Sequence, residues 1–221
     1  KGEHTAPWGV PGLEKYHGSE VFLTEALTRE ALKTLEVPIQ TSKPFFLYLA
    51  HYAVHIPYAA DKRFVQKYLD NGLPQKEAEY AALIEGMDNS LGDIMNYLKE
   101  KNIDKNTIII FMSDNGGFSM SPRSGEAFTH NFPLKSGKGS VYEGGIRVPM
   151  LVKWPGVVKP GTTTEQSIII EDLFPTILEM AGVRKYKKVQ QVDGKSFTSA
   201  LRNPAYRDTT RALIWHFPNK W

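Results

Sequence analysis

Two short apolar runs, Phe45–Ala50 and Thr107–Met112, each pass straight into a polar loop, and this pattern limits the fold more than any other feature of the chain. Neither run alternates as a half-exposed hairpin arm does, and both are too short for a helix, so each reads as a strand buried on both faces. Pro44 before the first run supports that reading. Between the runs, Leu83, Ile84, Met87, Leu91, Ile94, Met95 and Leu98 keep one apolar stripe at helical spacing, predicting a long helix over 76–101.

Shorter amphipathic stretches complete the pattern. Leu27, Ala31, Leu32 and Leu35 predict a helix over 24–36 with Thr24 as its N-cap and Pro38 just beyond it. Residues 150–154 predict a third strand, and residues 172–181, closed by Gly182, a further helix. Apolar strands alternating with helices define an α/β fold, a layered sandwich with a largely parallel sheet flanked by helices. In such folds ligands sit beyond the carboxyl ends of strands, where both polar clusters fall.

Composition bounds the function. The chain has 221 residues, a formal charge of +3 and no cysteine, which excludes a disulfide framework, a thiolate zinc site and a cysteine nucleophile within these residues. Its basic residues are scattered except for Arg184, Lys185, Lys187 and Lys188, a solvated loop rather than a nucleic-acid footprint. The stretch 183–191 around them reads as a mobile surface loop. No apolar run reaches the roughly 18 to 20 residues of a membrane span. The turn-rich opening with Pro7, Gly9, Pro11 and Gly12 predicts a piece of a longer chain.

Four polar constellations bear chemistry. Asp114-Asn115-Gly116 reads either as a tight turn or as a ligand pair, and the apolar, non-alternating strand before it favours the second. A carboxylate beside a carboxamide offers hard oxygens, which suit calcium or magnesium better than zinc and fill only part of a shell of about six to eight oxygens. His51 and His55 imitate a zinc spacing, but they follow a strand and Pro57 intervenes, so a shared face is not expected. His55, beside Ile56-Pro57, is the better placed to donate a proton to an anion or a leaving oxygen. Lys138, between Gly137 and Gly139, is a compact cation on a backbone that permits close approach to an oxyanion, although the segment is not a phosphate loop by pattern. Glu143 and Arg147 flank a Gly-Gly bend and read as structural.

These residues support a resemblance. FFLYLAHYAVHIP (45–57), IIIFMSDNGG (108–117), PLKSGKGSVYEGGIRVP (133–149) and IEDLFPTILEMAG (170–182) resemble, in order, segments of the type I, formylglycine-dependent sulfatases of the alkaline phosphatase superfamily. The resemblance implies hydrolysis of a sulfate ester. It assigns metal ligation to Asp114 and Asn115 with Ca2+, or Mg2+ in its place, sulfate contact to Lys138, and assistance to the leaving group to His55. A sulfated small molecule or glycan is the implied substrate and a periplasmic or secreted location the implied setting. Ala212 to Pro218 resembles the strand that opens the last subdomain of carbohydrate-acting members, which makes His216 a candidate substrate contact. The expected organisation is therefore a partial catalytic domain over 1–211 and the start of a C-terminal subdomain over 212–221.

The chain departs from the family pattern in two ways. No Cys or Ser followed by x-Pro-x-Arg precedes the first helix, and Ser121-Pro122-Arg123 lacks the surrounding motif and follows the metal strand. The acidic pair that supplies the family's first metal ligands is also missing. The formylglycine nucleophile is therefore expected in sequence upstream, and the chain by itself is expected to be inactive. A phosphatase or phosphonate hydrolase of the same superfamily, or a catalytically silent binding domain, are the alternatives.

Overall fold

The computed structural model describes residues 9–55, 59–118, 131–183 and 185–216. The chain divides into two compact units, 1–104 and 105–221.

The first unit is helical. Helix α1 runs Leu23–Gln40, α2 Val65–Asp70 and α3 Gln75–Glu100, and both α1 and α2 pack against α3. The apolar stripe produces α3 within a residue of its expected ends. Small side chains at the contacts, Ala26 and Ala31 on α1 and Ala78 and Ala82 on α3, are buried to 4% exposure or less. Val65, Ala78 and Ala82 form the core, covered by Phe64, Tyr68, Leu69 and Leu73.

Helix α1 departs from expectation at both ends. Phe22, not Thr24, is the N-cap, and Thr24 is buried inside the first turn. At the other end the helix runs through Pro38 to Gln40, one turn further than the proline suggests. The turn is closed by Thr41 Oγ1, which donates to Val37 O at 2.7 Å, and by Ser42, whose φ of 51° lets Lys43 N donate back to Pro38 O at 2.9 Å. Helix α3 ends the same way on Asn102 at φ 58°, with Ile103 N donating to Leu98 O at 3.0 Å. Helix α2 has no counterpart in the sequence reading, being too short to show a period.

Asp61 anchors the loop before α2. It is 1% exposed and takes two bonds from the Arg63 guanidinium, Nε to Oδ1 at 3.0 Å and Nη2 to Oδ2 at 2.8 Å. Arg63 Nη1 also reaches Glu25 Oε2 at 2.8 Å, tying this loop to α1.

Residues 45–50 are not a strand among the described residues. A strand exists through its hydrogen-bonded neighbour, and no described segment pairs with this one. Nor is the run buried on both faces: Phe45, Leu47 and Leu49 are half-buried, whereas Phe46 is 73% and Tyr48 82% exposed.

In the second unit, β1 (Ile109–Met112) and β2 (Met150–Lys153) lie within their predicted ranges. They pair antiparallel, Ile109 opposite Lys153 and Met112 opposite Met150, so the sheet expected to be largely parallel is an antiparallel pair here. Residues 113–149 join the two strands, and their described part holds only the short α4, Glu143–Ile146. Helix α5, Leu173–Met180, is entered through a 3-10 turn at Ile170–Asp172 and is closed by Gly182 at φ 76°, as the sequence indicates. Helix α6, Thr198–Arg202, is a single short turn.

Asp172 organises this end of the unit. Wholly buried, it accepts from Ile169 N at 3.0 Å, Lys195 N at 2.8 Å, and Arg211 Nη1 at 2.8 and 2.7 Å. Residues 185–191 are irregular and exposed, while Arg184 of the basic cluster lies outside the described residues. No described helix is long and apolar enough to cross a membrane.

Candidate functional site

Antiparallel pairing brings the segment leaving β1 and the segment entering β2 to the same end of the sheet. There the backbone interlocks. Gly116 N donates to Gly145 O at 2.9 Å, Gly144 N to Lys135 O at 2.9 Å, and Lys138 N to Gly117 O at 3.0 Å. The first two contacts need residues without a side chain. A Cβ at Gly116 would lie 1.8 Å from Gly144 O, at Gly144 2.1 Å from Ser136 O, and at Gly145 2.2 Å from Ser140 O. The two Gly-Gly pairs are thus the price of close approach, and they set Lys138 beside the end of the Asp114-Asn115 turn.

The side chains that matter project from this knot. Asp114 and Lys138 are exposed and Asn115 is half-buried. Ser113 Oγ donates to Asn115 O at 3.0 Å, fixing the turn locally. Glu143 and Arg147 meet across α4 in an exposed ion pair at 3.4 Å. The hard-oxygen pair and the cation that the sequence singles out therefore share one loop cluster.

The three side-chain oxygens of Asp114 and Asn115 fit part of a calcium or magnesium shell by donor chemistry. They do not complete one: among the described residues no group of three or more His, Cys, Asp or Glu side chains converges. This also leaves the zinc reading of His51 and His55 without support.

His55 belongs to the first unit, exposed, with its N–H donating to Tyr52 O at 2.8 Å. Ile56 and Pro57, the expected rigid turn, lie outside the described residues, as does Ser121-Pro122-Arg123. His216 is exposed, beyond the Arg211 anchor, in a stretch (211–216) with no regular structure, and Phe217-Pro218 lie outside the described residues. His51 is turned to a different use: Nε2 sits 3.1 Å from Ser90 Oγ, inside the first unit.

One contributor was not legible. Asn131 binds Gly117 on both sides, Oδ1 accepting from its N–H at 2.9 Å and Nδ2 donating to its carbonyl at 2.7 Å. An asparagine before Phe-Pro reads from sequence only as a turn residue.

The Sulfatase family model matches residues 6–183. The chain belongs to the sulfatase family. Among similar proteins, a sulfatase of Formosa agariphila is 37% identical over 96% of this chain and 38% of its own length. The N-acetylgalactosamine-6-sulfatase of Mus musculus is 36% identical over 91% of this chain and 40% of its own. Among solved structures, Ps i-CgsB in complex with k-i-k-neocarrahexaose is similar to this chain, with a TM-score of 0.71 at 37% identity over 81% of this chain and 38% of that one. This sulfatase-family chain thus spans about two fifths of the length of these relatives.

Proposed function

We propose that the protein containing this chain hydrolyses a sulfate ester on a glycan, and that these residues form one side of its active site. The observation that carries the reading is the glycine knot, which holds a cation, Lys138, against the same strand end that presents Asp114 and Asn115. The relatives' names, an N-acetylgalactosamine-6-sulfatase and a protein bound to a neocarrahexaose, support a sugar substrate.

In this reading Asp114 and Asn115 hold part of the shell of a Ca2+ or Mg2+ ion. When bound, such an ion supplies positive charge against the sulfate oxygens. Lys138 places its ammonium on a non-bridging sulfate oxygen and stabilises the charge that collects as the ester bond breaks. His55 gives a ring N–H proton to the departing oxygen, so the sugar leaves as a neutral alcohol and water supplies the oxygen that stays on sulfate. His216 contacts the sugar. The formylglycine of the family has no counterpart among these 221 residues, in which no Cys or Ser is followed by x-Pro-x-Arg; we assign it, with the remaining acidic ligands, to sequence outside them.

The same reading places residues 1–211 in one layered α/β catalytic domain with a largely parallel sheet, residues 212–221 at the start of a C-terminal subdomain, and the protein in the periplasm or secreted. Paired assays of the full-length protein on the sulfate and phosphate monoesters of one aryl alcohol test the function. Preference for sulfate is expected, and a strong preference for phosphate overturns it. Lys138→Ala should lower kcat/KM on the sulfate ester by roughly 10² to 10³, the loss seen on removing a preorganised oxyanion donor.

A further inference from the structure

We infer that Asn131 is the positioning residue of this site: its carboxamide clamps Gly117 and Ser136, and through them fixes the backbone that carries Lys138. The inference rests on the sulfatase reading above and deepens it. Three bonds define the clamp. Oδ1 accepts from Gly117 N at 2.9 Å, and Nδ2 donates to Gly117 O at 2.7 Å and to Ser136 O at 3.2 Å. The reverse orientation of the amide would set its oxygen against two carbonyls, so the complementarity runs one way only.

The position of these partners gives the clamp its consequence. Gly117 follows the Asp114-Asn115-Gly116 turn, and its carbonyl also accepts from Lys138 N at 3.0 Å. The Gly117 carbonyl therefore accepts from both Asn131 and Lys138. Ser136, two residues before Lys138, is held at φ 65°, a left-handed conformation that a residue with a Cβ adopts only at a cost. The Asn131 bond to its carbonyl helps to offset that cost. Asn131 is fixed in turn, since Leu134 N donates to its own carbonyl at 2.8 Å.

Without the carboxamide, Gly117 would keep its backbone bond to Lys138 but lose the support that sets its orientation. Lys138 would then sample positions off the sulfate oxygen. Partners that orient a ligating or binding group in this way typically carry about 10- to 100-fold of activity or metal affinity.

The test is a double-mutant cycle in the full-length protein, with kcat/KM on an aryl sulfate and thermal unfolding as readouts. Asn131→Ala should lower kcat/KM by roughly 10- to 100-fold in the wild-type background. In the Lys138→Ala background the same change should cost less than about threefold, because the group it positions is already gone. Asn131→Ser, polar and suited to a turn but too short to reach both groups of Gly117, should repeat the pattern and carries the test if the alanine variant does not fold. A purely structural role predicts equal losses in both backgrounds, and that result overturns the inference, as does an unchanged rate for Asn131→Ala. If Lys138→Ala alone leaves the rate unchanged, the reading of the site fails instead, whatever Asn131 does.

Discussion

Gly116 shows how narrowly a single residue can be defined. A methyl group there would sit 1.8 Å from the Gly144 carbonyl oxygen, inside backbone that no rotamer change can move. Gly116→Ala should therefore cost more than the usual ~1–3 kcal/mol of overpacking. Gly92 is the control: it lies within α3 with nothing inside 4 Å of an added Cβ. There alanine should stabilise by about 0.4–1 kcal/mol through the unfolded chain. Urea midpoints of the two variants check the contrast, and equal effects would refute the interlock. His51 makes a prediction in pH. Thr28 Oγ1 has two contacts, Thr24 O at 2.8 Å and Ser90 Oγ at 2.6 Å. Ser90 Oγ, which accepts from Thr28 Oγ1, lies 3.1 Å from His51 Nε2. His51 Nδ1 is buried with no hydrogen-bond partner among the described residues. Burial lowers the His51 pKa from its ordinary value. A base whose folded pKa is lowered binds fewer protons folded than unfolded. Its stability is intact above the unfolded value of about 6.5 and is lost as pH falls from there toward the lowered folded value. His51→Gln, which keeps an amide within reach of Ser90 but does not titrate, should flatten the loss of stability between about pH 7.5 and 5; an unchanged slope would show that His51 does not set it.

At the scale of elements, periodicity was the signal that carried. The stripe from Leu83 to Leu98 gave α3, and the apolar run before Ser113 gave β1, because both patterns are long or pure enough to leave one answer. Helices α2, α4 and α6 were not legible. Four to six residues complete less than two turns, and tertiary contacts rather than period decide them. Pro38 misled at the end of α1: the helix runs past it to Gln40, and its last carbonyls are met by Thr41 Oγ1 on Val37 O and Lys43 N on Pro38 O. The link that stabilises the second unit was likewise invisible: Asp172 and Arg211 are 39 residues apart, and nothing local pairs them. Asp172 is wholly buried and the Arg211 side chain only 16% exposed. Removing one partner leaves a buried charge unpaired, so Arg211→Ala should destabilise by about 3–5 kcal/mol, read as a fall in denaturation midpoint. A loss below ~1 kcal/mol would mean that the two backbone N–H groups on Asp172 suffice.

For the whole molecule, the family was legible because its motifs lie close in sequence to the strand end they serve, whereas the arrangement of the sheet was not. Strand order depends on neighbours, and Phe45–Ala50 has none among the described residues. The consequence is an unusual surface. Phe46, Tyr48, Leu151 and Ile214 are all more than 60% exposed, in a chain that spans 38% of the Formosa agariphila relative. Scattered apolar residues are ordinary on a surface, but alternate large side chains on one extended run are what a sheet neighbour or a covering layer normally buries. The chemistry points the same way. No group of three or more His, Cys, Asp or Glu side chains converges among the described residues, and no Cys or Ser of the chain is followed by x-Pro-x-Arg. The purified 221-residue chain should therefore bind a solvatochromic apolar dye more strongly per mole than the full-length protein does, and should give no turnover of an aryl sulfate at concentrations where the full-length protein is readily assayed. The two readouts separate causes. Turnover by the short chain would show that its own residues contain a nucleophile, and would move the search to the Ser121-Pro122-Arg123 segment. Weak dye binding with no turnover would leave the chemistry incomplete but show that the exposed faces of Phe46 and Tyr48 are covered by the chain itself.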